Sequence, residues 1–238
     1  MVEYTRGDVI ANGFLRALPP DALTRLRPHL EPVELVRRQS IYAAGEDPAY
    51  IYFPIRGLVS LVKAMSDGRV VEVGAVGVEG AVCLSGLLAL PETVFESLVQ
   101  LPGAALRIKS ALFRDEAARD PGMADVVRRY VAVSLGQIAQ TAACNRLHSL
   151  EERCCRWLLL AHDSARDDTF QLTHEFLALM LGVQRPGVTI TARALQRAGL
   201  INYQNGRVTV ADRPGLEANA CECYAAVRHQ YEALVERR

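Results

Sequence analysis

Residues 172–211, LTHEFLALMLGVQRPGVTITARALQRAGLINYQNGRVTVA, constrain the fold more than any other stretch of the chain. Thr173 is placed to cap a short helix whose Phe176, Leu177, Met180 and Leu181 fall on one packed side. Gly182 supplies a tight turn. A second helix follows over about 186–198, with Val188, Thr191, Ala192, Leu195 and Ala198 at three-and-four spacing on its inner side and Gly199 to stop it. Two β-prone runs, 200–204 and 207–211, flank Asn205-Gly206, a strong hairpin signal. Helix, turn, helix and β-wing make a winged helix-turn-helix, whose second helix fits a DNA major groove.

The charge pattern of this unit agrees. From residue 184 to 207 there are four arginines, Arg185, Arg193, Arg197 and Arg207, and no acid. Neutralising phosphate supplies most of the affinity for DNA, so a local basic face is what such a role requires. Helix-hairpin units with a few arginines also occur as plain packing modules, and this alternative stays open on the local pattern alone. The chain as a whole has a formal net charge of +0, so any DNA binding is local rather than global.

The rest of the 238 residues falls into recognisable textures. A short helix is expected over 20–30. Candidate strands follow at 33–37, 40–43, 50–54, 57–65, 69–76, 93–101 and 104–109, with Asp67-Gly68 as a hairpin turn. Short strands at this spacing predict an antiparallel β-roll or jelly roll. Asp120 and Pro121 suit the N-cap and first position of a long helix reaching about residue 148. Val127, Val131, Leu135, Ile138, Ala142 and Asn145 follow the four-three spacing of a coiled-coil seam, which predicts a homodimer; the alternative is a single long helix lying on its own domain. A helix over 150–162 leads into the winged unit, so 147–150 reads as a hinge, and Asp212 caps a last helix expected over 214–235. The fold class is α+β, in three segments: a sensor-like roll (1–119), a dimerisation helix (120–148) and a C-terminal winged helix-turn-helix (149–238).

In this order of parts the chain resembles the Crp/Fnr-family transcription regulators over nearly its full length. Leu172-Thr173-x-Glu175, Gly182, Arg185, Val188, the 195–201 run and the wing carry the match, and Gly45, the 51–54 run and Gly57 fit that family's cyclic-nucleotide-binding-like roll. The resemblance implies a homodimer on a palindromic double-stranded DNA site, acting with RNA polymerase. It places Arg185 at the family's first base-reading arginine, and arginine can take both acceptors of a guanine edge. The family pattern continues with a Glu beside that arginine and an Arg four residues after the Glu; here Pro186 and Ile190 stand there, so the family's usual operator does not carry over. Thr189, Ile190 and Arg193 join Arg185 as expected base contacts. Thr173, His174, Arg197 and Arg207 are expected on phosphates, which position a protein without reading sequence.

No cofactor is expected. Family members that bind cyclic AMP hold its ribose with a Gly-Glu pair and its phosphate with an Arg-Ser pair. Here the nearest segment is Gly77-Val78-Glu79-Gly80, and between Arg69 and Arg107 there is no Lys, Arg or His, while Glu72, Glu79, Glu92 and Glu96 are present. A cyclic phosphate needs a cation or a dense set of N–H donors, so cyclic AMP is not expected. The family's iron–sulfur sensors carry an N-terminal cysteine cluster; the first cysteine here is Cys83, so no iron–sulfur cluster is expected either. Cys144, Cys154 and Cys155 lie near the hinge, where oxidation would act on the DNA-binding half; buried structural thiols are the default for all six cysteines. Adjacent cysteines on one helix point apart, and Cys221 and Cys223, if helical, do not face each other. No metal site is expected. No nucleophile–base pair, phosphate loop or paired-carboxylate motif is present, so the chain is not expected to be an enzyme. An apolar signal-peptide core and a membrane-length apolar run are absent, which predicts a cytoplasmic protein with no membrane partner. The rival reading is a ligand- or redox-sensing module of the same fold in which DNA binding is lost or secondary.

Overall fold

The computed structural model describes residues 9 and 11–236; the start of the chain, on which the reading of a missing signal peptide partly rests, and its last two residues lie outside the described part. Two short helices, α1 (Gly13–Ala17) and α2 (Pro20–Leu26), open the described chain. The helix expected over 20–30 ends at Leu26 in a single 3-10 turn, Arg27–His29, where Pro28 has no N–H to continue the ladder.

A five-stranded antiparallel sheet follows, built from β1 (Glu31–Leu35), β2 (Ser40–Tyr42), β3 (Tyr50–Ala64), β4 (Val70–Val76) and β5 (Glu96–Lys109). Its order is β1-β5-β3-β4, with β2 on β5. Two pairs of expected strands are each one long strand. β3 runs through Gly57 and β5 runs through Pro102-Gly103, and the register between them shifts three times from Pro54 to Val59. A Cβ on Gly57 would sit 2.7 Å from the Leu101 carbonyl oxygen, and one on Gly103 would strike the Arg56 carbonyl, so the two glycines let the paired strands bend together. A short helix, α3 (Leu84–Leu87), crosses the roll between β4 and β5.

After α4 (Ser110–Arg119) comes α5, Pro121–Leu147, the longest helix of the structure. The Asp120 carboxylate caps it, accepting from Gly122 N (3.0 Å) and Met123 N (3.1 Å), and is itself paired with Arg25 at 2.8 Å. One side of α5 is buried against the roll: Met123, Val126, Tyr130, Ser134, Gln137 and Thr141. Phe14 joins this core, stacked on Phe53 and edge-on to Tyr130. His148 ends α5 in extended conformation, and Ser149 starts α6 (Leu150–Ala165) with a capping box closed by Glu152.

The C-terminal head follows: β6 (Thr169–Gln171), α7 (His174–Leu181), α8 (Arg185–Arg197), β7 (Ile201–Gln204) and β8 (Arg207–Val210), with β6-β8-β7 forming a small antiparallel sheet. The last expected helix is two: α9 (Arg213–Asn219) and α10 (Cys223–Glu236), separated at Ala220, Cys221 and Glu222. α10 returns to the roll, where Val227, Tyr231 and Leu234 enter the core around Tyr130. The head core joins Trp157, Leu158, Phe176, Val188 and Leu195 to Leu58, Val62 and Leu101 of the roll. No helix among the described residues is long and apolar enough to cross a membrane.

Where roll meets head, Glu72 on β4 is buried. Ser60 Oγ and Gln100 Nε2 (2.9 Å) donate to its Oε2. Burial raises its carboxyl to about 7, against the opposing pull of the Ser60 hydroxyl and the Arg156 charge. The folded state therefore holds a proton that an unfolded carboxyl, at about 4.3, has already released. Stability from this group is full below about pH 4 and is lost as pH rises through about 7, by on the order of 3 kcal/mol in total. Glu72→Gln keeps the shape and stays neutral. It is expected to raise the urea midpoint at pH 8 while leaving it near the parent value at pH 5; equal shifts at both pH values would contradict this account.

Candidate nucleic-acid interface

α7 starts where Thr173 Oγ accepts from Phe176 N at 3.2 Å. It ends at Gly182, whose φ of +63° lets Gly182 N and Val183 N turn back onto Leu179 O and Ala178 O at 3.2 and 3.0 Å. Pro186 then opens the first turn of α8, where its missing N–H costs nothing. The inner side of α8, Val188, Thr191, Ala192 and Leu195, is buried. Its outer side presents Arg185, Pro186, Ile190, Arg193 and Arg197 to solvent, with Thr189 half-buried. Ile190 is 67% exposed, an apolar side chain standing largely in water.

The wing is the hairpin expected from the sequence. Asn205 (φ +51°) and Gly206 (φ +73°) turn it, and Arg207 stands exposed at the start of β8. Among the described residues none of the side chains of Arg185, Arg193, Arg197 and Arg207 is in an ion pair, whereas Arg25, Arg107, Arg129, Arg213 and Arg228 each hold a carboxylate. Arg185 also borders the cleft between head and roll, beside Arg38 and Leu98.

His174 sits differently from the four arginines. Its ring stacks on Tyr203 with centroids 4.2 Å apart, and Nδ1 lies 3.1 Å from Thr189 Oγ, which donates in turn to Arg185 O at 3.1 Å. Burial, then the charges of Arg185 and Arg193, hold its pKa below the usual histidine value. This ring ties α7, α8 and the wing together. Nothing in the sequence around Tyr203, which lies in a short strand, signals the stacking.

Within the roll, Tyr130 and Gln137 of α5 reach the strand and loop backbone. Tyr130 Oη accepts from Ala81 N and donates to Ala81 O, both at 2.7 Å, and Gln137 Nε2 donates to Ala75 O at 2.9 Å. A cavity between Leu61, Thr93, Phe95 and these side chains is about 20 Å³, room for about one water, and a second of about 460 Å³ opens beside Val78, Glu79 and Gln137 toward Leu160, Arg213 and Tyr231. The 77–80 loop is closed on itself, with Gly77 N donating to Glu79 Oε1 at 2.7 Å. Leu88 and Leu90 are exposed, and Leu87 is core.

All six cysteines are buried free thiols. Cys154 and Cys155 lie in the head core, where burial raises both thiols, that of Cys155 to about 11. The other hinge cysteine has different company. Cys144, His148, Cys221 and Cys223 bring three sulfurs and one ring nitrogen within 4.8 Å of one another. This corrects the expectation that the chain has no site for a cofactor: the group is one that could hold a metal ion. The sequence does not announce it, because Cys221 and Cys223, set on one unbroken helix, would point apart. The break at residues 220–222 turns both toward Cys144.

A family model for the Crp-like helix-turn-helix domain matches residues 152–219. The transcriptional regulator LdrP of Thermus thermophilus is 27% identical over 199 residues, 77% of this chain and 94% of that protein. The crystal structure of a CRP-family transcriptional regulator, also from Thermus thermophilus, superposes with a TM-score of 0.65 at 23% identity, covering 79% of this chain and 96% of that one. A Crp/Fnr-family regulator structure from Eubacterium rectale gives a TM-score of 0.66 at 17% identity, covering 88% and 98%. The architecture is a β-roll joined by a long helix to a winged helix-turn-helix, as in these structures. The chain thus has the Crp/Fnr regulator fold and carries a Crp-like helix-turn-helix domain.

Proposed function

We propose that this chain is a cytoplasmic, sequence-specific transcription regulator that binds double-stranded DNA as a homodimer, on a palindromic promoter site, without cyclic AMP. The observation that carries the reading is the outer face of the head. Arg185, Arg193, Arg197 and Arg207 are exposed and, among the described residues, free of carboxylate partners on a winged helix-turn-helix whose second helix has its other side in the core. Unpaired guanidiniums on such a face are available to phosphates and to guanine edges.

In this reading Arg185, Thr189, Ile190 and Arg193 face the bases. Ile190 supplies an apolar contact suited to a thymine methyl. Arg197 and Arg207 sit on phosphates with the Thr173–His174 end of α7. The hydrogen bonds of Thr173 and His174 within the head favour orienting roles for those two. The roll's lack of any cation from residue 70 to 106 supports independence from cyclic AMP. RNA polymerase is the partner such a regulator addresses once it stands on a promoter.

The uncovered side of α5 supports the dimer. Leu135 is 66% exposed, Ala142 is exposed, and Val131, Ile138 and Asn145 are half-buried, while Val127 is held in the chain's own core. This apolar stripe is what a second copy would cover, and a two-fold pair sets two recognition helices about one DNA turn apart.

Arg185→Ala is expected to lose discrimination at one base position, costing on the order of 1–3 kcal/mol on the specific site with little effect on random DNA. Equal losses on both, in quantitative band-shift titrations, would sink the base-reading role. Arg207→Ala is expected to weaken specific and random DNA alike and to reduce the salt slope by about one; an unchanged slope would remove it from the phosphate contacts. Leu135→Asp is expected to convert the dimer to a monomer in sedimentation equilibrium, and a dimer of parental affinity would refute the seam.

A further inference from the structure

The cysteines and histidine at the hinge form an arrangement that packing alone does not explain. Cys144 lies in the last turn of α5 and His148 is its C-cap, four residues on and on the same side. Cys221 lies in the break between α9 and α10, and Cys223 begins α10. Cys144 Sγ is 3.5 Å from Cys221 Sγ, and Cys223 Sγ is 3.5 Å from His148 Nδ1. A tetrahedral ion with metal–sulfur bonds of about 2.3 Å and a metal–nitrogen bond of about 2.0 Å has sulfur–sulfur edges of about 3.8 Å and sulfur–nitrogen edges of about 3.5 Å. Two edges of the cluster already match those lengths to within a few tenths of an ångström. The three buried sulfurs form a cluster of their own, separate from the aliphatic cores of roll and head.

The surrounding groups have the polarity that a metal thiolate requires. His148 Nε2 lies 3.2 Å from Glu222 Oε2, so the carboxylate holds the ring with Nδ1 turned to the sulfurs. A metal-bound histidine commonly has its second nitrogen on such a carboxylate. Gln140 Nε2 donates to Cys223 Sγ at 3.0 Å. Arg153 and Arg156 on α6 are buried, each with an Nε lacking a hydrogen-bond partner, and both guanidinium charges act on the Cys144 sulfur. Three thiolates on a divalent ion carry one net negative charge, which these cations offset.

We propose that Cys144, His148, Cys221 and Cys223 are the four ligands of a single tetrahedral divalent ion of the zinc class, and that the ion pins the hinge. Nitrogen–sulfur donor sets of this kind favour zinc over magnesium or calcium, and four protein ligands leave no open position for catalysis. The site ties residues 144–148, where the long helix hands over to the head, to the start of α10, which packs on the roll. Arg153 extends the connection, donating to the Leu181 carbonyl at the turn between α7 and α8. Metal occupancy thus bears on the orientation of the head, whatever the head binds.

The test is metal analysis of the full chain purified under reducing conditions, followed by exchange with cobalt(II). The expected result is one zinc per chain, and a cobalt form with the strong visible bands and sulfur-to-metal charge transfer of tetrahedral thiolate coordination. Glu222→Gln, at an exposed side chain that leaves folding intact, is expected to weaken metal affinity about 10–100-fold. Cys223→Ser is expected to lose the charge-transfer bands in part, while Cys83→Ser, in the roll, retains them. Zinc removal is expected to speed amide hydrogen exchange at residues 144–150 and 220–224. A metal-free chain that takes up no cobalt would overturn the site, as would an octahedral cobalt spectrum, an iron–sulfur chromophore or equal binding by the Cys223 and Cys83 variants. Unchanged exchange after zinc removal would overturn the pinning.

Discussion

The structure depends on α5 having two sides with different obligations. Its 27 residues span about 40 Å at the rise of an α-helix. Met123, Val126, Tyr130 and Gln137 commit one side to the roll, where Tyr130 also carries a pair of hydrogen bonds with Ala81 that plug the interior. The opposite side keeps Leu135 in water. Removing that apolar surface from water would favour the proposed pairing with a second copy. The same helix also fixes where the head begins, because Cys144, His148 and Ser149 follow within its last turn and cap.

The head is packed onto this base. Its core is continuous with the roll through Leu58, Val62 and Leu101, and Arg37 reaches across to Gln171 at 3.0 Å. The inner face of α8 is locked by Val188 and Leu195, and His174 wedges α7 against the wing by stacking on Tyr203. Side chains held this way leave Arg185, Arg193 and Ile190 pointing outward from a fixed scaffold. Pre-placed contacts of this kind lose less freedom on binding.

The parts of this fold that were legible in the sequence were those set by local chemistry. Gly182 and Asn205-Gly206 announce turns that need positive φ, and the apolar spacing of α7 and α8 gives their inner faces directly. Asp120-Pro121 marks the start of α5 just as plainly. Legibility failed where a local signal was answered by a distant partner. Gly57 and Gly103 look like strand ends, yet each accommodates the other strand's backbone at a shared bend. The hinge cluster was hidden for a related reason. Its cysteines at 144 and 221 are 77 residues apart, and the helix break at Ala220-Cys221-Glu222 contains neither glycine nor proline to announce it. Only the three-dimensional return of α10 onto α5 brings the ligands together.

The central claim is that an effector-free dimer reads a two-fold DNA site with the exposed face of α8. The most direct measurement is selection of genomic DNA fragments by the purified full-length protein with no nucleotide added. The account predicts enrichment of one palindrome with half-sites about one helical turn apart, bound less tightly as salt rises. Recovery of no common sequence, or enrichment that arises only when a cyclic nucleotide is supplied, would contradict it.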